Sequence, residues 1–281
     1  MVLANSTDLW MDSFPCATKD GNKYSRGHVA VVTAHSHLTG AAKLASSAVL
    51  RSGAGLVTII CPEDLLALYS SPPFAIMYKG YEAQSEISDF IENRKIDACL
   101  IGPGLSDNKE TKELTLRLLE MEIPCVIDAG AISCFKDCPE ILLDKLKNRK
   151  IPAILTPHQG EFEKIFGEIH GRLEAVEKAV KETSSVILLK GSETIISDNK
   201  KVILNPEASP YLATAGSGDV LAGIITALCA GGMESVDAAS AGVWIHSECA
   251  NNFGAGLIAD DIIDEIPVVL KSLMKLKSHS Q

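Results

Sequence analysis

Tyr211-Leu-Ala-Thr-Ala-Gly-Ser-Gly-Asp-Val-Leu-Ala-Gly-Ile-Ile-Thr-Ala-Leu228 joins a glycine-rich turn to an apolar run at helical spacing. Thr214 and Ser217 supply hydroxyls, Gly216 and Gly218 supply backbone freedom, and Asp219 supplies one carboxylate. Glycines on either side of Ser217 let several N–H groups turn toward one point. A helix beginning near Asp219 adds its unpaired N–H groups and the positive end of its dipole. Gly216, Ser217 and Gly218 are therefore candidates for an anion hole. A carboxylate there is a poor phosphate ligand, because like charges repel. It is useful as a base that takes a proton from a hydroxyl while the N–H groups stabilise a phosphoryl group in transfer. Asp219 is thus the candidate catalytic residue. The same pattern also occurs as plain structure, with the Asp serving only as a helix cap, and both readings stand at this point. The chain contains no G-x-x-x-x-G-K-[ST], which sets aside the P-loop enzymes.

Short apolar runs alternate with helical patterns around this segment. Strands are expected at 28–33, 56–61, 98–101, 124–127, 153–155 and 186–189. Helices are expected at 41–51, 109–121, 140–147, 172–183, 220–230 and 236–253. In 172–183, Leu173, Val176 and Val180 fall on one face. The strands are nearly all apolar, so both sheet faces should be covered. The alternation predicts an α/β fold with three α/β/α layers around a mostly parallel central sheet. Residues 195–197 and 202–204, joined through Asp198-Asn-Lys-Lys201, read as a hairpin added at one edge. With no linker, repeat or low-complexity stretch, one domain over 1–281 is expected.

In open α/β sheets, ligands sit beyond the carboxyl ends of the strands. The unusual sequences fall there. They are Ala34-His-Ser-His-Leu-Thr-Gly-Ala41, Gly102-Pro-Gly104, Asp128-Ala-Gly130, Thr156-Pro-His-Gln-Gly-Glu161 and Lys190-Gly-Ser-Glu-Thr194. Each alone reads as a turn. Together with Gly216–Asp219 they compose a candidate site.

Composition narrows the partners. The formal charge of −10 argues against nucleic acid or an anionic membrane, while leaving a polyanionic small ligand open. No apolar run approaches the roughly 18 residues of a membrane span, and the start MVLANSTDLWMDSF has no secretory pattern. Most cysteines lie in apolar strand or helix patterns, which fits buried free thiols in a reducing cytoplasm. Cys134 and Cys138 are four apart, but the only close histidine pair, His35 and His37, is distant and wrongly spaced for a zinc set.

The chain resembles the ADP- or ATP-dependent NAD(P)H-hydrate dehydratases, a branch of the ribokinase-like superfamily. The resemblance rests on Arg26-Gly-His28, Thr39-Gly-Ala41, Leu50-Arg-Ser-Gly-Ala-Gly-Leu-Val57, Gly102-Pro-Gly104, Val126-Ile-Asp128-Ala and Leu155-Thr-Pro-His-Gln-Gly-Glu-Phe162. It continues through Leu189-Lys-Gly191 with Thr194, Leu212-Ala-Thr-Ala-Gly-Ser-Gly-Asp-Val-Leu-Ala-Gly223, Ala241-Gly-Val-Trp-Ile-His246 and Gly256-Leu-Ile-Ala259. These run in family order over nearly the whole chain. The glycine-Asp motif is shared across the superfamily; the combination of T-G-A, R-S-G-A-G-L-V and L-T-P-H-x-G-E-F is specific to this branch. In many bacteria the module is fused behind an epimerase domain, so the resemblance implies a stand-alone form here.

The implied reaction repairs hydrated NADH or NADPH. ADP (or ATP) phosphorylates the C6 hydroxyl, and the ring nitrogen then expels phosphate, giving NAD(P)H, AMP and phosphate from ADP. Magnesium normally accompanies such a transfer. Asp219 would be the base, with Gly216, Ser217 and Gly218 around the transferring group. Ala41, Gly104 and His158 would line the hydrate pocket together with Asp219. Lys190, Gly191, Ser192, Glu193 and Thr194 would border the nucleotide, with Gly218 near its phosphate. The nucleotide is expected over 190–194 and the nicotinamide near 156–161, on opposite sides of the 216–219 turn. The metal ligands are not assigned, and a homotetramer is a family expectation. A vitamin or sugar kinase of the same superfamily would share Gly216–Asp219, and a nucleotide-binding protein without turnover is the other alternative. The family usually reads D-A-D-A where this chain has Asp128-Ala-Gly-Ala131. An aspartate returned at position 130 is expected to be tolerated. Ser247 after His246, where Gly is frequent, is expected to be neutral.

Overall fold

Alternating burial along the strands shows how the layers arise. Val29 and Val31 point into one core while Ala30 and Val32 point into the other. The same period-two split holds for Leu100 against Cys99 and Ile101, and for Leu188 against Ile187 and Leu189. A strand apolar on both faces must be covered on both faces, and it is. The computed structural model describes residues 2–279 apart from 71, 72, 74 and 207.

Ten strands form one sheet: β1 (Val2–Ala4), β2 (His28–Val32), β3 (Leu56–Pro62), β4 (Met77–Tyr81), β5 (Ala98–Ile101), β6 (Cys125–Ile127), β7 (Ile154–Leu155), β8 (Val186–Leu189), β9 (Thr194–Ser197) and β10 (Val202–Asn205). Their order is β1-β10-β9-β8-β7-β6-β5-β2-β3-β4. From β8 to β4 every pairing is parallel, and β9 is antiparallel to both β8 and β10. The sheet is mostly parallel, as the alternation of runs predicts.

The helices are α1 (Thr39–Arg51), α2 (Leu66–Tyr69), α3 (Ser85–Arg94), α4 (Lys109–Glu120), α5 (Gly130–Ser133), α6 (Pro139–Lys147), α7 (Gln159–Phe166), α8 (Arg172–Thr183), α9 (Ser217–Ala230), α10 (Ser235–Phe253) and α11 (Ala259–His279). One core lies under α1, α9, α10 and α11. The other lies under α3, α4, α6, α7 and α8. Among the described residues, no helix is long and apolar enough to cross a membrane. Cys61, Cys99, Cys125, Cys134, Cys229 and Cys249 are buried free thiols.

The hairpin forms as read from the sequence, but it is not the edge. β1 lies outside it, parallel to β10, with Leu3 opposite Ile203. Asn5 then ties the junction: its amide donates to Asn205 Oδ1 and to the Ser240 carbonyl, both at 2.9 Å.

α9 decides where the functional turn lands. Val220, Ala222, Gly223, Ile224, Ile225 and Leu228 are all buried, so the helix is covered on every side. It packs on α1 through small residues, Ala42, Ala45 and Ala48. A Cβ added at Gly223 would lie 2.3 Å from the Ala45 carbonyl oxygen. The backbones approach too closely for any side chain at this position. Gly223→Ala is therefore expected to separate the two helices and lose about 1–3 kcal/mol of stability, as overpacked cores do. A urea midpoint equal to wild type would refute the close approach.

Candidate functional site

Strands β2, β5, β6, β7 and β8 run parallel, so their carboxyl ends share one edge. Thr33, Gly102, Asp128, Thr156 and Lys190 follow these ends directly. α9 begins at the same edge. Gly216 is its N-cap, with φ of 85°, the left-handed conformation that glycine adopts without strain. Its carbonyl accepts from Val220 N at 3.1 Å. Gly218, by contrast, is already helical. What it provides is space: a Cβ there would sit 3.4 Å from Lys190 Nζ and 3.9 Å from Asp128 Oδ2.

Charge is concentrated at this point. Lys190 Nζ donates to Asp128 Oδ1 at 2.9 Å. Burial works against the charge on Lys190, yet Asp128, Glu161 and Asp219 hold its ammonium above the ordinary lysine range. Asp219 stands in the first turn of α9, and its side chain makes no hydrogen bond or ion pair among the described residues. Burial pushes its carboxyl up to about 7, with a further push from Asp128 that Lys190 partly offsets. A carboxylate poised there can take a proton near neutral pH.

Asp128 is held by its backbone. Its N–H donates to the Ile101 carbonyl at 3.0 Å, and its own carbonyl accepts from Ala131 N at 3.1 Å. Gly102 lies against this carbonyl so closely that a Cβ would come within 1.8 Å of it. The next residue, Ala129, has φ of 46°, rare for a side chain with a Cβ and found where the surroundings over-determine the turn.

His158 caps α7. Its Nδ1 accepts from Glu161 N at 3.2 Å, and Glu161 Oε2 accepts from His158 N at 2.9 Å. This reciprocal cap buries Glu161 and leaves His158 largely exposed beside the site. Ala41 and Gly104 lie together: a Cβ at Gly104 would be 3.5 Å from Ala41 Cβ and 2.6 Å from the Leu38 carbonyl oxygen. Leu44, one turn further along α1, packs on Gly216.

A cavity of about 540 Å³ opens beside the turn. Lys190, Gly191, Ser192, Thr194 and Gly218 line it, with Leu212, Leu221 and Val243 as apolar walls. A mixed polar and apolar cleft of this size accommodates a nucleotide-sized ligand. Glu193 is not part of the lining; its carbonyl accepts from Arg172 at 3.1 Å. His158 lines the same cavity as Lys190, Gly191, Ser192 and Thr194, because the reciprocal cap with Glu161 holds it at the end of β7 beside β8, whereas Ala41 and Gly104 do not line it.

Two contributors have no local signal in the sequence. Arg172 reaches from α8 to the carbonyls of Leu189, Lys190 and Glu193 and stitches the 190–193 turn. His246, from α10, places Nε2 at 3.0 Å from both Ser217 Oγ and the Ser217 carbonyl. Burial pushes His246 down to about 4, so a neutral ring braces the turn at ordinary pH. Among the described residues, no group of three or more His, Cys, Asp or Glu side chains could hold a metal.

Residues 29–267 match the family model described as NAD(P)H-hydrate dehydratase. A bifunctional NAD(P)H-hydrate repair enzyme of Moorella thermoacetica is 34% identical over 95% of this chain and 54% of its own length. The chain thus spans about half the length of the bifunctional relatives it matches. An ADP-dependent (S)-NAD(P)H-hydrate dehydratase of Cenarchaeum symbiosum is 31% identical over 94% of this chain and 95% of its own. The ADP/ATP-dependent NAD(P)H-hydrate dehydratase of Bacillus subtilis, co-crystallised with ATP/Mg2+, superposes with a TM-score of 0.83 at 27% identity, covering 97% and 99% of the two chains.

Two outcomes follow from the geometry. A Cβ at Gly130 would lie 2.1 Å from the Leu105 carbonyl oxygen, so the geometry argues that Gly130→Asp costs stability, against the expectation from the sequence that it is tolerated. That variant should unfold at lower urea, and an unchanged midpoint would refute the contact. For Asp219, the folded carboxyl is raised from 3.8 to about 7, so its contribution to stability is complete below about 4 and lost as pH rises through 7. Asp219→Asn removes that loss. The variant should gain on wild type between pH 5 and pH 8, by about 4 kcal/mol at most before solvent screening. Parallel urea curves at both pH values would show a constant difference if Asp219 were not raised.

Proposed function

The chain belongs to the NAD(P)H-hydrate dehydratase family, and from that premise we propose that it is an ADP-dependent (S)-NAD(P)H-hydrate dehydratase. The observation that carries this reading is the Asp219 carboxyl, raised to about 7 in the first turn of α9, next in the chain to Gly218, which lines a nucleotide-sized cavity together with Lys190. Asp219 removes the proton from the C6 hydroxyl as the oxygen attacks the terminal phosphorus of the donor. The bond from that phosphorus to the bridging oxygen breaks, and AMP leaves when the donor is ADP. The ring nitrogen's electron pair then expels the phosphate group from C6, leaving an iminium ion, and loss of a proton from the neighbouring C5 forms the C5–C6 double bond of the dihydronicotinamide. The N–H groups of the Gly216–Gly218 turn and the Lys190 ammonium face the group in transfer and stabilise its charge.

In this reading Lys190, Gly191, Ser192 and Thr194 border the donor, and Ala41 and Gly104 border the hydrate. His158, on the shared cavity, stands where the two ligands meet. Magnesium would be carried by the donor phosphates and would neutralise charge between them, needing few protein ligands. The whole chain acts as one domain, since its strands share one sheet. Buried free thiols support a reducing cytoplasm as its setting. A homotetramer is the assembly we propose by family likeness.

The test mixes the protein, magnesium and hydrated NADH or NADPH with ADP or with ATP, and follows the returning absorbance of the reduced cofactor together with phosphate release. Recovery is expected with ADP. Asp219→Asn should keep its affinity for ADP in calorimetry and lose about 10²–10⁴-fold in turnover. No recovery with either donor would refute the dehydratase reading. A stable phosphorylated product on a different small alcohol would identify a kinase instead.

A further inference from the structure

Three charged groups face Asp219, namely Asp128 on the end of β6, Lys190 on the end of β8, and Glu161 on α7. The only cation of the three binds Asp128 and not the base. We propose that Asp128 is a positioning residue that engages Lys190 in place of Asp219, so that the base stays free to accept a proton. This rests on the reading of Asp219 as the base.

The geometry makes the choice of partner a built-in one. Asp128 is 2% exposed and anchored through both its N–H and its carbonyl. Gly102 packs against it, and Ala129 turns the chain away in an unusual conformation. The carboxylate therefore cannot follow the lysine elsewhere. Gly218 leaves open the space in which Lys190 Nζ and Asp128 Oδ2 lie against the first turn of α9. Glu161 is already committed to the backbone of His158 at 2.9 Å. If the charge on Asp128 were removed, Asp219 would be the carboxylate without a hydrogen-bond partner that faces the freed ammonium. An ion pair there would make Asp219 a weaker base, because an adjacent opposite charge favours the ionised form. His246, neutral and bonded to Ser217, adds no charge to this balance.

The test titrates the free protein carrying carboxyl-13C aspartate, with the Asp219 signal identified by its loss in Asp219→Asn. In Asp128→Asn the Asp219 midpoint should fall by about one pH unit or more. In Lys190→Met it should rise, because Asp128 is then left without its counter-ion. The double variant should return toward wild type. The acidic limb of the kcat profile should move the same way in Asp128→Asn, and Asp128→Glu should restore much of it. Midpoints unmoved in both single variants would reduce Asp128 to a structural contact and overturn the proposal. Should Asp128→Asn not fold, Lys190→Met alone decides, and a midpoint that does not rise overturns the proposal. A wild-type protein inactive on hydrated cofactor, but with both midpoints moved as stated, would remove the dehydratase reading and leave the pairing supported.

Discussion

The site depends on a helix that has no polar side to show to water. α9 is apolar almost all round, so it can lie only between the sheet and the helices α1, α10 and α11. Its glycine at 223 and the alanines of α1 let it sink to backbone contact. That depth carries its N-terminus to the edge where five parallel strands end. The dipole end, Gly218 and Asp219 arrive there because the body of the helix is buried, and the His246 brace on Ser217 then fixes the turn.

Once that helix end is in place, the charges around it are interdependent. A buried lysine needs a counter-ion, and a raised carboxylate needs to lack one. Two aspartates near one lysine meet both needs only if the lysine is held to a particular one. Rigid backbone around Asp128 provides this selection. The strained Ala129 and the crowded Gly102 are understandable as the conformational cost of keeping one carboxylate still.

Much of this architecture was legible from the order of residues, and the exceptions have physical reasons. Buried parallel strands announce themselves as short apolar runs, so β2, β3, β5, β6, β7 and β8 were readable. β4 was not, since Met77-Tyr-Lys-Gly-Tyr81 lies at the sheet's edge and needs no continuous apolar run. β1 has only three residues. α11 hides behind Pro267 in its interior, and α7 behind the loop-like Thr156-Pro-His158 and Gly160. At the site, Asp219 and the turn were visible because their chemistry is local. The pairing of Lys190 with Asp128, the brace from His246 and the stitch from Arg172 join residues far apart or on different elements. No spacing rule encodes such contacts; they exist only after the sheet has set its strand order.

β1 has a consequence for how the molecule assembles. Its partner β10 is some two hundred positions away in the chain: the Asn5–Asn205 bond spans a separation of 200 residues. β1 therefore cannot dock until β10, some two hundred positions later, has been synthesised. From the emergence of β10 until β1 docks, β10 presents a bare row of backbone donors and acceptors, the kind of edge on which chains pair with one another. High contact order of this sort slows folding. The N-terminal segment thus acts late, as a closing strand whose arrival ends the interval of exposure to aggregation.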